Sequence, residues 1–176
     1  NYAVDMMTRI HKYKHQKVLV VHQDEAFLKQ TKKNLEALMF NVLVANSSLS
    51  VPAIVDDHKD IKLVLVSHAM EGMSGFELTL QLRKRFSKED LIIVAITPPS
   101  EPATTSIFLK YGANGYISDR CSRDELNYTI GNLMDVLHNK EEAIRVKHQI
   151  EEYTTQLSKY ISPQIYNSIM QGQGAG

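Results

Sequence analysis

Residues 61–86 read IKLVLVSHAMEGMSGFELTLQLRKRF. The first six, Ile61 to Val66, are apolar apart from Lys62, short as a run, rich in β-branched side chains and bounded by polar residues. That is the pattern of a strand buried on both faces. A loop with two glycines, Gly72 and Gly75, follows. Phe76, Leu78, Leu80, Leu82 and Phe86 then open a helical pattern, with Phe76 and Leu80 expected on the buried side. Strand, loop and helix make half of a βαβ unit.

The flanking segments repeat the form. Residues 17–21 (KVLVV) are the first strand, with His22, Gln23 and Asp24 at its exit. Asp24 is placed to cap the next helix, whose Phe27, Leu28, Thr31, Leu35 and Leu38 share one stripe. Residues 41–45 are the second strand, and residues 49–55 a short helix with Pro52 in its first turn. After a polar turn at 87–90, residues 91–96 (LIIVAI) form a fourth buried strand ending at Thr97. Pro98 and Pro99 delay the following helix. That helix carries Ile107, Phe108 and Tyr111 and ends at Gly112, the usual place for a left-handed cap. Residues 115–118 (GYIS) are the fifth strand.

Five buried strands alternating with helices predict an α/β fold, a doubly wound parallel sheet with helices on both faces. Right-handed crossovers give the flavodoxin-like order 2-1-3-4-5, with any site at the carboxyl ends of the strands. His22, Gln23, Ser67, Thr97 and Asp119 are therefore expected on one rim.

Composition narrows the class. The chain has 176 residues, with 20 basic and 20 acidic side chains in balance. No global field favours nucleic acid or an anionic membrane. The single cysteine, Cys121, excludes an internal disulfide framework and fits a reducing compartment. No apolar run approaches the ~20 residues of a membrane span, and no secretory signal is visible. A cytoplasmic location is the expectation, and the abrupt ends suggest a piece of a longer protein. Four parts are expected: a helical lead-in (1–16, with Val4, Met7 and Ile10 at helical spacing), the α/β domain (17–138), a signalling helix (139–161) and a joint (162–176).

The stretch LVLVSHAMEGMSGFEL resembles the third strand and following loop of response-regulator receiver domains, with Met73, Gly75, Phe76 and Glu77 matching the family pattern. The resemblance covers about residues 17–138. It implies a phosphoacceptor aspartate at the position of Ser67 and cation-binding acids at the positions of His22 and Gln23, beside which only Asp24 is acidic. It also implies a lysine–proline pair where this chain has Asp119 and Arg120. Thr97 matches the hydroxyl that contacts the phosphoryl group, and Tyr116 the aromatic that swings inward on activation.

Phosphoryl transfer to an aspartate needs a carboxylate nucleophile, a bound cation and neutralisation of the transferring group. Ser67 has no partner base, and an imidazole, an amide and a hydroxyl are a poor shell for magnesium. The expectation is a degenerate receiver with no catalytic residue, no metal and no cofactor. His22, His68 and Asp119 admit two readings, ligands of a borderline metal such as zinc or a histidine–aspartate hydrogen bond in place of the lost ions. The second is preferred, because no close-spaced ligand pair supports the first.

Ser122 to Glu125 has the form of a capping box. Leu126, Ile130, Leu133 and Leu137 follow at the spacing of a face packed on the sheet, and no breaker appears before Pro163. A second apolar series then runs through Ala143, Val146, Ile150, Tyr153, Leu157 and Tyr160. It keeps heptad spacing but is displaced by one position from the first. A lone helix of this kind is marginal in water, so a coiled-coil homodimer joining two receivers is expected, with the direction of pairing left open. Ser162 and Pro163 read as N-cap and first residue of a new helix. Residues 157–172 (LSKYISPQIYNSIMQG) resemble the joint upstream of class III nucleotide cyclase domains, implying a covalently linked cyclase as output. Alternatives are a diguanylate cyclase, a histidine kinase, a transcriptional regulator, or an interaction module with no output.

Overall fold

Strands with this little polarity require cover on both faces; the three central ones receive it, while Val44 and Tyr116 on the two edge strands stay exposed. In the computed structural model, which describes residues 11–161 and 163–174, β1 (Lys17–Val21), β2 (Asn41–Ala45), β3 (Ile61–Ser67), β4 (Ile92–Thr97) and β5 (Gly115–Ser118) form one sheet. All neighbours are parallel, and the order is β2-β1-β3-β4-β5. The helices are α1 (Glu25–Glu36), α2 (Val51–Asp57), α3 (Gly75–Arg85), α4 (Pro102–Tyr111), α5 (Arg123–Ser158) and α6 (Pro163–Gly174).

Alternation along each strand splits the core in two. Val18, Val20, Leu63, Leu65, Val94 and Ile96 face α1 and the first turns of α5, meeting Leu28, Leu35, Leu126, Ile130, Met134 and Leu137. Leu19, Val21, Val64, Val66, Ile93 and Ala95 face the other way, meeting Val51 and Val55 of α2, Leu78 and Leu82 of α3 and Phe108 of α4. Each fully buried Val, Leu, Ile or Phe is worth about 1.5–3 kcal/mol, and it is this double layer that holds the strand ends in line.

The local signals act as expected at several joints. The Asp24 carboxylate accepts from the Ala26 amide at 2.9 Å and caps α1. Ser122 Oγ accepts from the Glu125 amide at 3.1 Å, ahead of α5. Gly112 closes α4 at φ 114°, a conformation costly for any side chain with a Cβ. Pro52 sits in the first turn of α2, which is entered through a 3-10 turn at Ser48–Ser50.

Other expectations need correction. On α3 the buried stripe is Gly75, Leu78, Thr79 and Leu82, while Leu80 is exposed and Phe76 half-buried. The helix is rotated because its first residue lies hard against β3: a Cβ on Gly75 would stand 2.2 Å from the Ser67 carbonyl oxygen. Of the helical lead-in, residues 1–10 lie outside the described residues, whereas His11–Tyr13 form a 3-10 turn. Tyr13 is buried in the core and its hydroxyl donates to Asp135, which Lys12 also approaches at 2.9 Å. His15, at φ 67°, then turns the chain into β1.

The chain divides into two compact units, Asn1–Leu137 and His138–Gly176. Helix α5 continues from the first into the second and ends at Ser158, so Tyr160 falls in the turn beyond it. Pro163 opens α6 as its first residue, while Ser162 lies outside the described residues. Gly172 lies inside that helix. No helix among the described residues is long and apolar enough to cross a membrane.

Candidate functional site

The register of the sheet brings the ends of four strands to one edge. Val21 pairs with Val66, Ser67 with Ile96, and Thr97 with Ser118. The ladder runs one residue further at three places: the amides of His22, His68 and Asp119 donate to the carbonyls of Ala45 (3.1 Å), Ile96 (3.3 Å) and Thr97 (3.0 Å). His22, Ser67, Thr97 and Asp119 are thus set on one rim by backbone pairing alone. Gln23 is on the same rim and exposed.

The side chains there are committed as follows. The His22 ring stacks on Phe27 with centroids 4.1 Å apart. Its Nδ1 accepts from the Asp24 amide at 3.0 Å, which puts the proton of the neutral ring on Nε2. Burial holds the His22 pKa below its usual value and the His68 ring adds to this, against the opposing pull of the Asp24 and Asp119 carboxylates. The four groups therefore share one electrostatic neighbourhood. The histidine bond is made to backbone, not to the Asp119 carboxylate preferred from sequence, because the tight turn at 22–24 brings the Asp24 amide to the ring.

Ser67 is buried at the end of β3. Thr97 is buried too, and its hydroxyl lies 3.2 Å from Thr105 Oγ1 on α4 and 3.5 Å from the Ile117 carbonyl oxygen. Tyr116 is more than half exposed. Thr97, Pro98, Pro99, Thr105, Tyr116 and Ser118 border an open cavity of about 500 Å³ beside the rim. Thr105 and Phe27 are contributors that sequence reasoning misses. Phe27 is legible only as a core position, and nothing in the local sequence marks Thr105 as the partner of a residue eight positions earlier.

A receiver fold implies a divalent cation at this rim, and the donors here do not fit one. Asp24 is the acid next to Gln23, and its carboxylate caps α1. Among the described residues no group of three or more His, Cys, Asp and Glu is placed to hold a metal ion. Magnesium requires near-octahedral oxygen coordination with carboxylate support, and zinc three or four converging ligands.

The fold is that of a receiver, and comparison with known proteins agrees. The chain matches the response regulator receiver domain family over residues 18–130 and belongs to it. It is similar to the chemotaxis protein CheY homolog of Campylobacter jejuni, 28% identical over 102 residues covering 57% of this chain and 78% of that protein. Among solved structures it is similar to a two-component system response regulator/GGDEF domain protein, with TM-score 0.74 and 28% identity over 78% of this chain. The chain spans about 56% of the length of that structure. A receiver domain protein from Clostridium thermocellum shares the fold at TM-score 0.64 and 22% identity, covering 73% of this chain and 98% of that one.

Proposed function

We propose that this chain is the regulatory part of a cytoplasmic signalling protein, a degenerate receiver that has lost phosphoryl transfer and acts through pairing of its last helix. The observation that carries the reading is Ser67, a buried hydroxyl at the exit of β3 where the family has its acceptor carboxylate. A serine can attack a phosphoryl group only with a base to take its proton. His22, at the exit of β1, uses Nδ1 to accept from the Asp24 amide. Asp119 stands where a cation would neutralise the transferring group, so the rim presents charge of the wrong sign.

The output we assign is a nucleotide cyclase linked after α6, on the resemblance of residues 157–172 to the joint that precedes such domains. Catalytic sites formed between two cyclase chains would respond to how two receivers pair. A second reading, a diguanylate cyclase output, draws on the GGDEF-containing structure to which this chain is similar.

Intact mass after incubation with acetyl phosphate and magnesium tests the first part, and the expected result is unmodified protein. A stoichiometric phosphoryl adduct would contradict it. Assay of the product of the complete coding sequence separates the outputs: cyclic AMP or cyclic GMP from ATP or GTP supports the first, cyclic diguanylate the second.

A further inference from the structure

The second unit carries an apolar seam on α5 that none of the described residues of that unit covers. Val146, Ile150, Tyr153 and Leu157 are between 40% and 64% exposed, and Ala143 is exposed with them. Asn139, Ala143, Val146 and Ile150, flanked by Glu142 and Lys147, also line a shallow groove along the same face. The spacing Asn139, Ala143, Val146, Ile150, Tyr153, Leu157 alternates four and three, so these residues occupy successive seam positions of a heptad. Glu142 and Lys147 fall on opposite flanks of the seam.

Resting on the dimer reading above, we infer that this helix pairs with a second copy of itself in parallel and in register, and that Glu142, Lys147 and Asn139 set that direction. In a parallel pair each left-flank residue meets the right-flank residue five positions later on the other chain. Glu142 then faces the second copy's Lys147, and symmetry makes the contact twice. The later flank pairs, Gln149 with Thr154, are neutral.

An antiparallel pair that keeps the seam layers sets Ala143 against Tyr153, Ile150 against Val146, and Leu157 against Asn139. Flanks then meet like flanks, so Lys147 faces Lys147 and Glu142 faces the uncharged Gln156. Asn139 would bury its amide against a leucine, leaving donors and acceptors unmatched. In the parallel register it meets the same amide on the other chain, and each can donate to the other. Direction therefore follows from three residues that do not contribute to the apolar area. Glu142 also pairs with Arg145 within its own helix, and a carboxylate has acceptor sites enough for both.

Sedimentation equilibrium of the chain, its Glu142→Lys and Lys147→Glu variants and the double variant tests the direction. Each single variant should weaken self-association by about tenfold, the scale of losing two exposed pairs and gaining two repulsions. The double variant should regain it, because the exchanged charges again attract across a parallel interface. Loss of the Arg145 contact cannot mimic this, since the second change does not restore it. In a Cys121→Ser background, Tyr153→Cys should oxidise rapidly to a 153–153 disulfide-linked dimer. Indifference to Glu142→Lys, or cross-linking of Tyr153→Cys to Ala143→Cys in preference to itself, would overturn the parallel register and leave the dimer standing. A chain that is monomeric throughout would remove both.

Discussion

His22 is held at the rim by contacts within its own turn and the helix that follows. Stacked on Phe27 and accepting from the Asp24 amide, it is held neutral by burial. Its folded-state pKa lies below the unfolded value of about 6.5, so the unfolded chain binds the proton more readily. The sign follows: this contribution is intact above about pH 6.5 and is lost as pH falls through that value toward the lower folded one. Urea unfolding of the wild type and His22→Gln across that range should show a steeper loss of stability on acidification in the wild type. Equal slopes would mean the ring is not held neutral by the fold. Arg83 makes the complementary point about legibility. In sequence it is one charge among several at the end of a helix, yet it donates to the carbonyls of Gly112 (2.7 Å), Ser87 (3.1 Å) and Leu91 (2.9 Å) and to Asn114 Oδ1 (2.5 Å). Those acceptors lie up to 31 positions away, and no local pattern encodes them.

Elements are more readable than their rotations. The five strands are the clearest part of the chain, because continuous β-branched runs bounded by turn residues have few alternatives. The inner face expected for α3 is the wrong one: apolar residues occur at alternate positions from Phe76 to Leu82, so the sequence admits more than one stripe. What decides is Gly75, whose missing Cβ lets the first turn close on the Ser67 carbonyl. The contrast can be measured. Leu78→Ala, which empties a fully buried site, should cost about 2–5 kcal/mol. Leu80→Ala, on the exposed side, should stay within about 0.5 kcal/mol. Similar costs at both positions would mean the helix is turned as the sequence alone suggests. Tyr13 is hidden for another reason: it reaches the core from a 3-10 turn, outside any periodic element, and its worth depends on Asp135 far along the chain.

For the whole molecule, the receiver frame is explained by the two apolar layers of the sheet, while the rim shows which parts of the family chemistry the residues can still support. Strand register alone places His22, Ser67, Thr97 and Asp119 together, so convergence on the rim survives the change of residue types. That is why position is legible from sequence and chemistry has to be weighed residue by residue. A switch of this kind would take its input from a contact or a ligand and deliver it as a change in helix pairing. The most direct measurement is sedimentation equilibrium of the chain with and without beryllofluoride and magnesium, the stable mimic of an acyl phosphate. The predicted result is self-association with the same constant in both conditions. A shift in that constant, saturating with beryllofluoride and requiring magnesium, would show that the rim still works as a phosphoryl site.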